Sequence, residues 1–175
     1  MPEKNNSYNN YLIIVLIMGN LILDQLSKYL VRIYLVPHDI VEVFGRNLVF
    51  MRVENTGAFL SAGEGLNDTF KFITLTVLPF AALCAVIVFM LKYRSLPLLL
   101  VIGLSFVAGG GLGNLFDRFQ FGSVTDFIHL DFLFIKTGIF NLADVSILVG
   151  VICLALNIYY KKISTIDRTG KRLAK

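Results

Sequence analysis

A helical membrane protein is the fold class that three features of this sequence predict: four transmembrane helices, a small extracytoplasmic β-sheet and a short surface segment. Of 175 side chains, 56% are hydrophobic and 16% charged, a balance too apolar for an ordinary soluble domain. Four apolar stretches, at 11–36, 70–91, 96–116 and 139–160, each come near the ~20 residues that a helix needs to cross hydrocarbon. The Lys and Arg residues between and around them are unevenly shared, as positive-inside placement requires. The net charge of +4 does not point to nucleic acid, because the basic excess sits at the chain ends and in one short loop. The absence of an internal period excludes a repeat protein. Residues 1–163 therefore read as one membrane-embedded unit, with 164–175 as a basic cytoplasmic tail.

The first span carries only Lys4 as a basic residue ahead of it, lacks a small-x-small cleavage site after it and continues past Asp24, so it is expected to be retained and not cleaved as a signal peptide. Between the second and third spans stand Lys92 and Arg94; after the fourth come Lys161, Lys162, Arg168, Lys171, Arg172 and Lys175. With Lys4 these make nine bases against two acids, Glu3 and Asp167, a net +7, while the remaining seven bases and ten acids leave −3. Both termini are thus expected in the cytoplasm. The segments 37–69 and 117–138 then fall outside. In the first, Val41, Val43, Leu48, Phe50 and Val53 alternate with Glu42, Arg46, Asn47 and Arg52 around Gly45, which predicts a hairpin or sheet over about 40–62. The second, around Phe127-Ile-His-Leu-Asp-Phe, is apolar enough to lie along the membrane surface as a short helix or a strand.

Charged side chains within a span cost about 2.5 to 3.5 kcal/mol each on insertion scales, so each needs a partner or a task. Asn20, Asp24 and Lys28 recur at four-residue spacing on one face of the first helix. They read as an Asp24–Lys28 ion pair that docks this helix, or as support for a neighbouring site. In the third helix Ser105, Gly109 and Gly113 form a small-residue stripe for close approach of a helix or a bound peptide. Gly110, Asn114 and Arg118 run beside it, and Asn114, Asp117 and Arg118 gather at its outer end. An arginine there can hold a carboxylate or a lipid head group through its forked donors.

Two more acids, Asp126 and Asp144, fall near the outer surface in this topology. Eighteen residues part them, and a segment that folds back can bring them together. Two carboxylates a few ångströms apart in a low dielectric share a proton. One then activates water while the other donates to an amide carbonyl, which suffices to hydrolyse a peptide bond. The competing reading is that Asp126 caps a loop and Asp144 pairs with Arg118. Other chemistries lack their residues. His38 and His129 form no His-Glu-x-x-His pair, and neither a Gly-x-Ser-x-Gly elbow nor a P-loop is present. Cys84 and Cys153 sit in apolar runs and read as small packing residues. Gly111-Leu-Gly-Asn114 has Asn where presenilin-type intramembrane proteases need Asp. No metal or cofactor is expected. A proton- or ion-coupled transporter would also place carboxylates in the membrane, but near the midplane and usually in repeated halves.

Five motifs in order carry a closer likeness: Asp24-Gln-Leu-Ser-Lys28, Asn55-Thr-Gly-Ala-Phe59, Gly113-Asn-Leu-Phe-Asp-Arg118, Val124-Thr-Asp126-Phe and Phe140-Asn-Leu-Ala-Asp144. With four spans, they make the sequence resemble the lipoprotein signal peptidases, the bacterial signal peptidase II family. The resemblance implies a membrane aspartic endopeptidase that removes the signal peptide of diacylglyceryl-modified prolipoproteins, cutting on the amino side of the lipidated cysteine. It implies Asp126 and Asp144 as the catalytic pair, Asn55, Gly110, Asn114, Arg118 and Asn141 as substrate-contacting or supporting residues, and Asp24 with Lys28 as a structural pair. The implied location is the bacterial cytoplasmic membrane with the active site at its outer face. The expected partners are lipidated precursors and membrane lipid, and the expected state is a monomer. One point is independent of the resemblance: a signal peptide enters with its basic end in the cytoplasm, so its cleavage site emerges on the side where the topology puts both aspartates.

Overall fold

The computed structural model describes residues 10–37, 39–43, 45–57, 67–93, 95–132 and 135–173, with the backbone alone for Ile135 and 165–173. His38 and the 58–62 part of the expected sheet lie outside these residues. Among the described residues, four helices are long and apolar enough to cross a membrane.

The first helix, α1 (Asn10–Tyr34), buries Ile13, Ile17, Asp24 and Lys28 along one stripe, the spacing that puts side chains one above another on a helix. Its other face leaves Ile14, Met18, Ile22, Leu26 and Ile33 exposed, which suits contact with lipid. The second span, Asp68–Lys92, is continuous but not uniform: α2 (Asp68–Phe72), a π turn (Ile73–Val77) and α3 (Leu78–Lys92). Asn67 caps its start by accepting from Thr69 N at 2.9 Å, which satisfies one orphan donor of the first turn. Pro79, in the first turn of α3, withholds an N–H and crowds the carbonyl one turn back, a physical reason for the widened turn just before it.

The third span, α4 (Leu98–Phe121), is the central helix, with half of its apolar window buried against 11–17% in the other three. It runs past the expected end at 116 because Asn114, Asp117 and Arg118 end the apolar run without ending the helix. Its small residues divide among three neighbours, Gly111 facing Leu83 of α3 and the others α1 and the last helix. A Cβ on Gly109 would stand 2.7 Å from Asn20 Cβ of α1. One on Gly103 would stand 3.0 Å from the Gly150 carbonyl in the last helix. The stripe expected to admit a helix or a peptide is therefore filled by α1. Gly122, at φ +73°, closes α4 with its N–H on Arg118 O at 3.1 Å, the left-handed cap that glycine adopts without strain.

The segments that join the first span to the second and the third to the fourth form one antiparallel sheet in the order β1-β2-β3-β4, made of Ile40–Glu42, Leu48–Asn55, Val124–Phe132 and Ile135–Lys136. Of the two conformations open to the second of these segments, strand is the one adopted. Between Phe50↔Ile128 and Val53↔Asp126 the register slips by one residue on β2, a bulge of the kind that re-aims side chains near functional sites. Beyond β4 the chain bridges back to β3, with Phe140 N donating to Ile128 O at 2.9 Å and Ile128 N to Phe140 O at 2.8 Å. The last helix, α5 (Leu142–Leu173), follows at once. It continues past Lys161 and Lys162, so the expected tail from 164 is helical as far as Leu173 and not a separate element. The core is apolar at one end of the bundle, around Ile13, Ile17, Met90, Val101 and Ala108. Asp24, Lys28, Asn55, Asp117, Thr125, Asp126 and Asn141 are buried together with the sheet.

Candidate active site

Asp126 comes from the start of β3, where Val124 to Phe127 are buried on both faces. Asp144 is the third residue of α5. The Phe140–Ile128 bridge sets Asn141, the residue before α5, next to β3, and Asn141 joins the two aspartates. Its Nδ2 donates to Asp126 Oδ1 at 2.6 Å, and its backbone N–H donates to Asp144 Oδ2 at 3.1 Å. Asp144 N returns a bond to Asn141 Oδ1 at 3.0 Å. This is a reciprocal capping box, with Asp in the third position where Glu or Gln is usual. The local demand for a helix cap thus fixes the Asp144 carboxylate.

Two further amides complete the arrangement. Asn114, on α4, donates from Nδ2 to Asp144 Oδ1 at 3.0 Å. Its Oδ1 accepts from Asn141 Nδ2 at 3.1 Å and from Lys28 Nζ at 2.9 Å. Asn55, the last residue of β2, donates from Nδ2 to Asp126 Oδ2 at 2.9 Å. Burial pushes the Asp126 carboxyl up to about 6, the Asn55 donor pulls it back, and the negative charge of Asp144 pushes it up again. A carboxyl that holds its proton toward neutral pH, beside a second carboxylate supplied with donors, is a matched acid and base.

Asp144 and Asn114 open onto a groove of about 820 Å³ lined chiefly by apolar side chains of the second span, α4 and α5, including Leu75, Pro79, Leu115, Leu148 and Val151, with Phe140 of the bridge before α5. Arg118 lines it as well, but its Nη2 donates to Gly57 O at 2.8 Å. The Asp144–Arg118 pair considered as a competing reading is absent among the ion pairs of the described residues. Gly110 is buried against the start of α5, where a Cβ would meet the Ala143 carbonyl and stand 3.0 Å from Ile147 Cγ1. It permits close packing of α5 on α4 behind the groove-lining Ile147.

Asp24 and Lys28 pair at 2.8 Å, as the four-residue spacing predicts. Asp117, expected beside Asn114 and Arg118, turns away from Arg118 and pairs with Lys28 at 3.1 Å and Arg32 at 3.0 Å. Sequence reasoning passed over Arg32, Gln25, Thr125 and Glu54. For Arg32 the signal was available, since it stands one further four-residue step along the Asn20, Asp24, Lys28 stripe. His129 Nδ1 is buried without a partner in the sheet. Cys84 and Cys153 are free.

Fold and site together are those of a membrane-embedded hydrolase. The model of the family described as signal peptidase (SPase) II matches residues 14–160. A lipoprotein signal peptidase of Moorella thermoacetica is 39% identical, over 77% of this chain and 83% of its own length. That of Enterococcus faecalis is 37% identical over 82% and 83%, and that of Streptococcus agalactiae 34% over 78% and 84%. Two structures of a bacterial membrane enzyme obtained by the in meso method resemble the fold. One has a TM-score of 0.79 at 26% identity, covering 91% of this chain and 94% of the other. The second has 0.73 at 27%, covering 89% and 97%. The chain belongs to the signal peptidase II family: it is a multi-pass membrane aspartic peptidase that removes signal peptides from prolipoproteins.

Proposed function

We propose that Asp126 and Asp144 are the catalytic dyad and that the bond they cut lies on the amino side of a diacylglyceryl-modified cysteine. The observation that carries this reading is the pair of bonds from Asn141, 2.6 Å to Asp126 and 3.1 Å to Asp144. They tie two otherwise distant carboxylates to one residue at the end of the apolar groove. Asp126, raised toward neutral pH, donates its proton to the scissile carbonyl. Asp144, oriented by the donors Asn114 Nδ2 and Asn141 N–H, takes a proton from the attacking water. The C–N bond then breaks as Asp144 passes its proton to the leaving amine and the gem-diol returns a hydroxyl proton to Asp126, re-forming the carbonyl.

The groove receives the signal peptide and the acyl chains, whose burial favours lipidated over unlipidated precursors. Arg118 steadies the chain near Gly57 at the groove's rim, and Asn55, Asn114 and Asn141 orient the dyad. Gly110 lets α5 approach α4 so that Asn114 reaches Asp144. Asp24 and Lys28 hold α1 against both. The charge asymmetry of the loops supports cytoplasmic termini and an outer active site. The protein acts as a monomer on lipidated prolipoproteins in the bacterial cytoplasmic membrane, in contact with its lipid.

The test is cleavage of a lipidated precursor by purified protein. Asp126→Asn and Asp144→Asn should each abolish turnover in protein that still inserts and folds. Near-wild-type turnover in either variant removes that residue from the dyad.

A further inference from the structure

Behind the proposed dyad stands a second pair of aspartates. Asp24 on α1 is 1% exposed and Asp117 on α4 is wholly buried. Asp24 Oδ1 accepts the backbone N–H of Ala143 at 2.9 Å. Asp117 Oδ2 accepts that of Thr125 at 3.2 Å. Each grip falls on the residue just before an aspartate of the dyad, Ala143 before Asp144 and Thr125 before Asp126.

The two grips are joined. Lys28 Nζ lies 2.8 Å from Asp24 Oδ2 and 3.1 Å from Asp117 Oδ2. Gln25 Nε2 spans the same interval, 3.1 Å from Asp24 Oδ2 and 3.1 Å from Asp117 Oδ1. The third oxygen within reach of Lys28 is Asn114 Oδ1 at 2.9 Å, so three acceptors match the three ammonium protons. Arg32 secures the outer side of Asp117. Its Nη2 lies 3.0 Å from Asp117 Oδ1, its Nε donates to Thr125 Oγ1 at 2.9 Å, and its guanidinium sits 4.0 Å from the Phe121 ring centroid. Thr125 Oγ1 in turn donates a hydrogen bond to Glu54 Oε2 on β2 at 3.1 Å.

We propose that Asp117, held between Lys28 and Arg32, is a positioning residue that, together with Asp24, sets the separation of the dyad by gripping the peptide N–H ahead of each of its members. This rests on the dyad reading given above. Charge-assisted bonds to backbone N–H groups are short and directional, and one ammonium between two carboxylates fixes their distance. Each carboxylate of the dyad hangs one residue from a grip, so a change in the Asp24–Asp117 interval moves one relative to the other. A misplacement of about 1 Å costs about 10²-fold in rate. A network that merely docked α1 would have no reason to end on these two peptide groups.

The experiment compares Asp117→Ala with Asp117→Asn in the detergent-solubilised full chain, cleaving a lipidated precursor, with thermal unfolding measured alongside. Asn keeps an oxygen for Thr125 N–H; Ala does not. The expected result is a kcat loss of about 10²-fold in Asp117→Ala with KM within about twofold, and a loss of no more than about tenfold in Asp117→Asn. Equal losses of kcat in the two variants, or a rise in KM with kcat kept, overturn the proposal. Should Asp117→Ala fail to fold, Arg32→Leu carries the test, since Arg32 lies at the edge of the network and leaves the Lys28–Asp24 pair intact. A folded Arg32→Leu with unchanged kcat overturns the proposal, and a lowered kcat at constant KM supports it. Asp126→Asn is run beside these. Near-wild-type turnover there defeats the dyad reading, whereas full dependence on Asp126 with indifference to Asp117 defeats the positioning claim alone.

Discussion

Asn141 and Asp144 cap one another: Asn141 N donates to Asp144 Oδ2 at 3.1 Å and Asp144 N to Asn141 Oδ1 at 3.0 Å. The same asparagine reaches Asp126 with its remaining donor at 2.6 Å. Helix initiation and the bridge between the two aspartates are therefore two tasks of one side chain, and they are separable.

Asn141→Ser should separate them. Serine is as good an N-cap as asparagine, whereas Ala at such a position costs about 1 kcal/mol. Serine is too short to bridge to Asp126. Thermal unfolding of Asn141→Ser is expected to stay near that of the unaltered protein, with Asn141→Ala lower. Both variants should lose 10-fold or more in kcat by the removal of an orienting hydrogen bond. A serine variant with full turnover would show that the Asp126 contact is dispensable.

The pH profile should report Asp126. Its carboxyl is raised from 3.8 to about 6, so the folded protein binds this proton more tightly than the unfolded chain does. Stability from this group is present below about pH 4 and is lost as pH rises through about 6. In the proposed mechanism the same proton is the one donated, so kcat/KM is expected to fall as pH rises through about 6. The Asn55 Nδ2 bond at 2.9 Å favours the ionised form. Asn55→Ala should therefore move the alkaline limb upward. A limb that stays in place or moves to lower pH would assign it to another group.

Gly110→Ala tests the packing that lets Asn114 reach Asp144. The added Cβ would meet the Ala143 carbonyl and lie 3.0 Å from Ile147 Cγ1 and 3.1 Å from Ser146 Cβ. The carbonyl is backbone at the capped start of α5 and cannot turn aside, so α4 and α5 must part. Overpacking of this kind costs about 1–3 kcal/mol. Turnover should fall with stability, because Asn114 lies one turn further along the same helix. Gly19→Ala is the matched control, with nothing within 4 Å of the new Cβ, and is expected to leave unfolding temperature and turnover unchanged. Equal behaviour of the two variants would contradict the packing account.

The spans and the Asp24–Lys28 pair were legible because each depends on local spacing, a length of apolar chain or a four-residue step on one helix. The conformation of β3 was not, since Val124 to Phe127 are covered on both faces and show none of the alternation that marks a half-buried strand. The partners of Asp117 were hidden for a related reason. Asn114, Asp117 and Arg118 are close in sequence, but successive helix positions point about 100° apart, so Asp117 faces α1 while Arg118 reaches toward Gly57. The end of α5 was set too early because Lys161 and Lys162 end the apolar run, and a helix has no need to stop there. The π turn left only Pro79 as a signal. Asp126 and Asp144 could be named as candidates from charge and topology, but their junction depends on the Phe140–Ile128 bridge, a pairing that neither segment's pattern specifies.

The groove supplies the last prediction, because lipid preference should reside in its walls and not in the dyad. Val151 lines it two turns along α5 from Asp144, about 10 Å by helix rise, too far to touch the reacting atoms. Val151→Trp fills part of the roughly 820 Å³ with a rigid ring. Binding lost equally from ground and transition states raises KM and leaves kcat alone. For a lipidated precursor KM is expected to rise about tenfold, as for 1.4 kcal/mol of lost apolar contact, with kcat within about threefold. For the same precursor without its acyl chains, KM should change little, so the ratio of the two shrinks. If both substrates suffer alike, the wall meets the peptide; if kcat falls while KM holds, the ring has disturbed Asp144. Either result would place the acyl chains elsewhere than along α5.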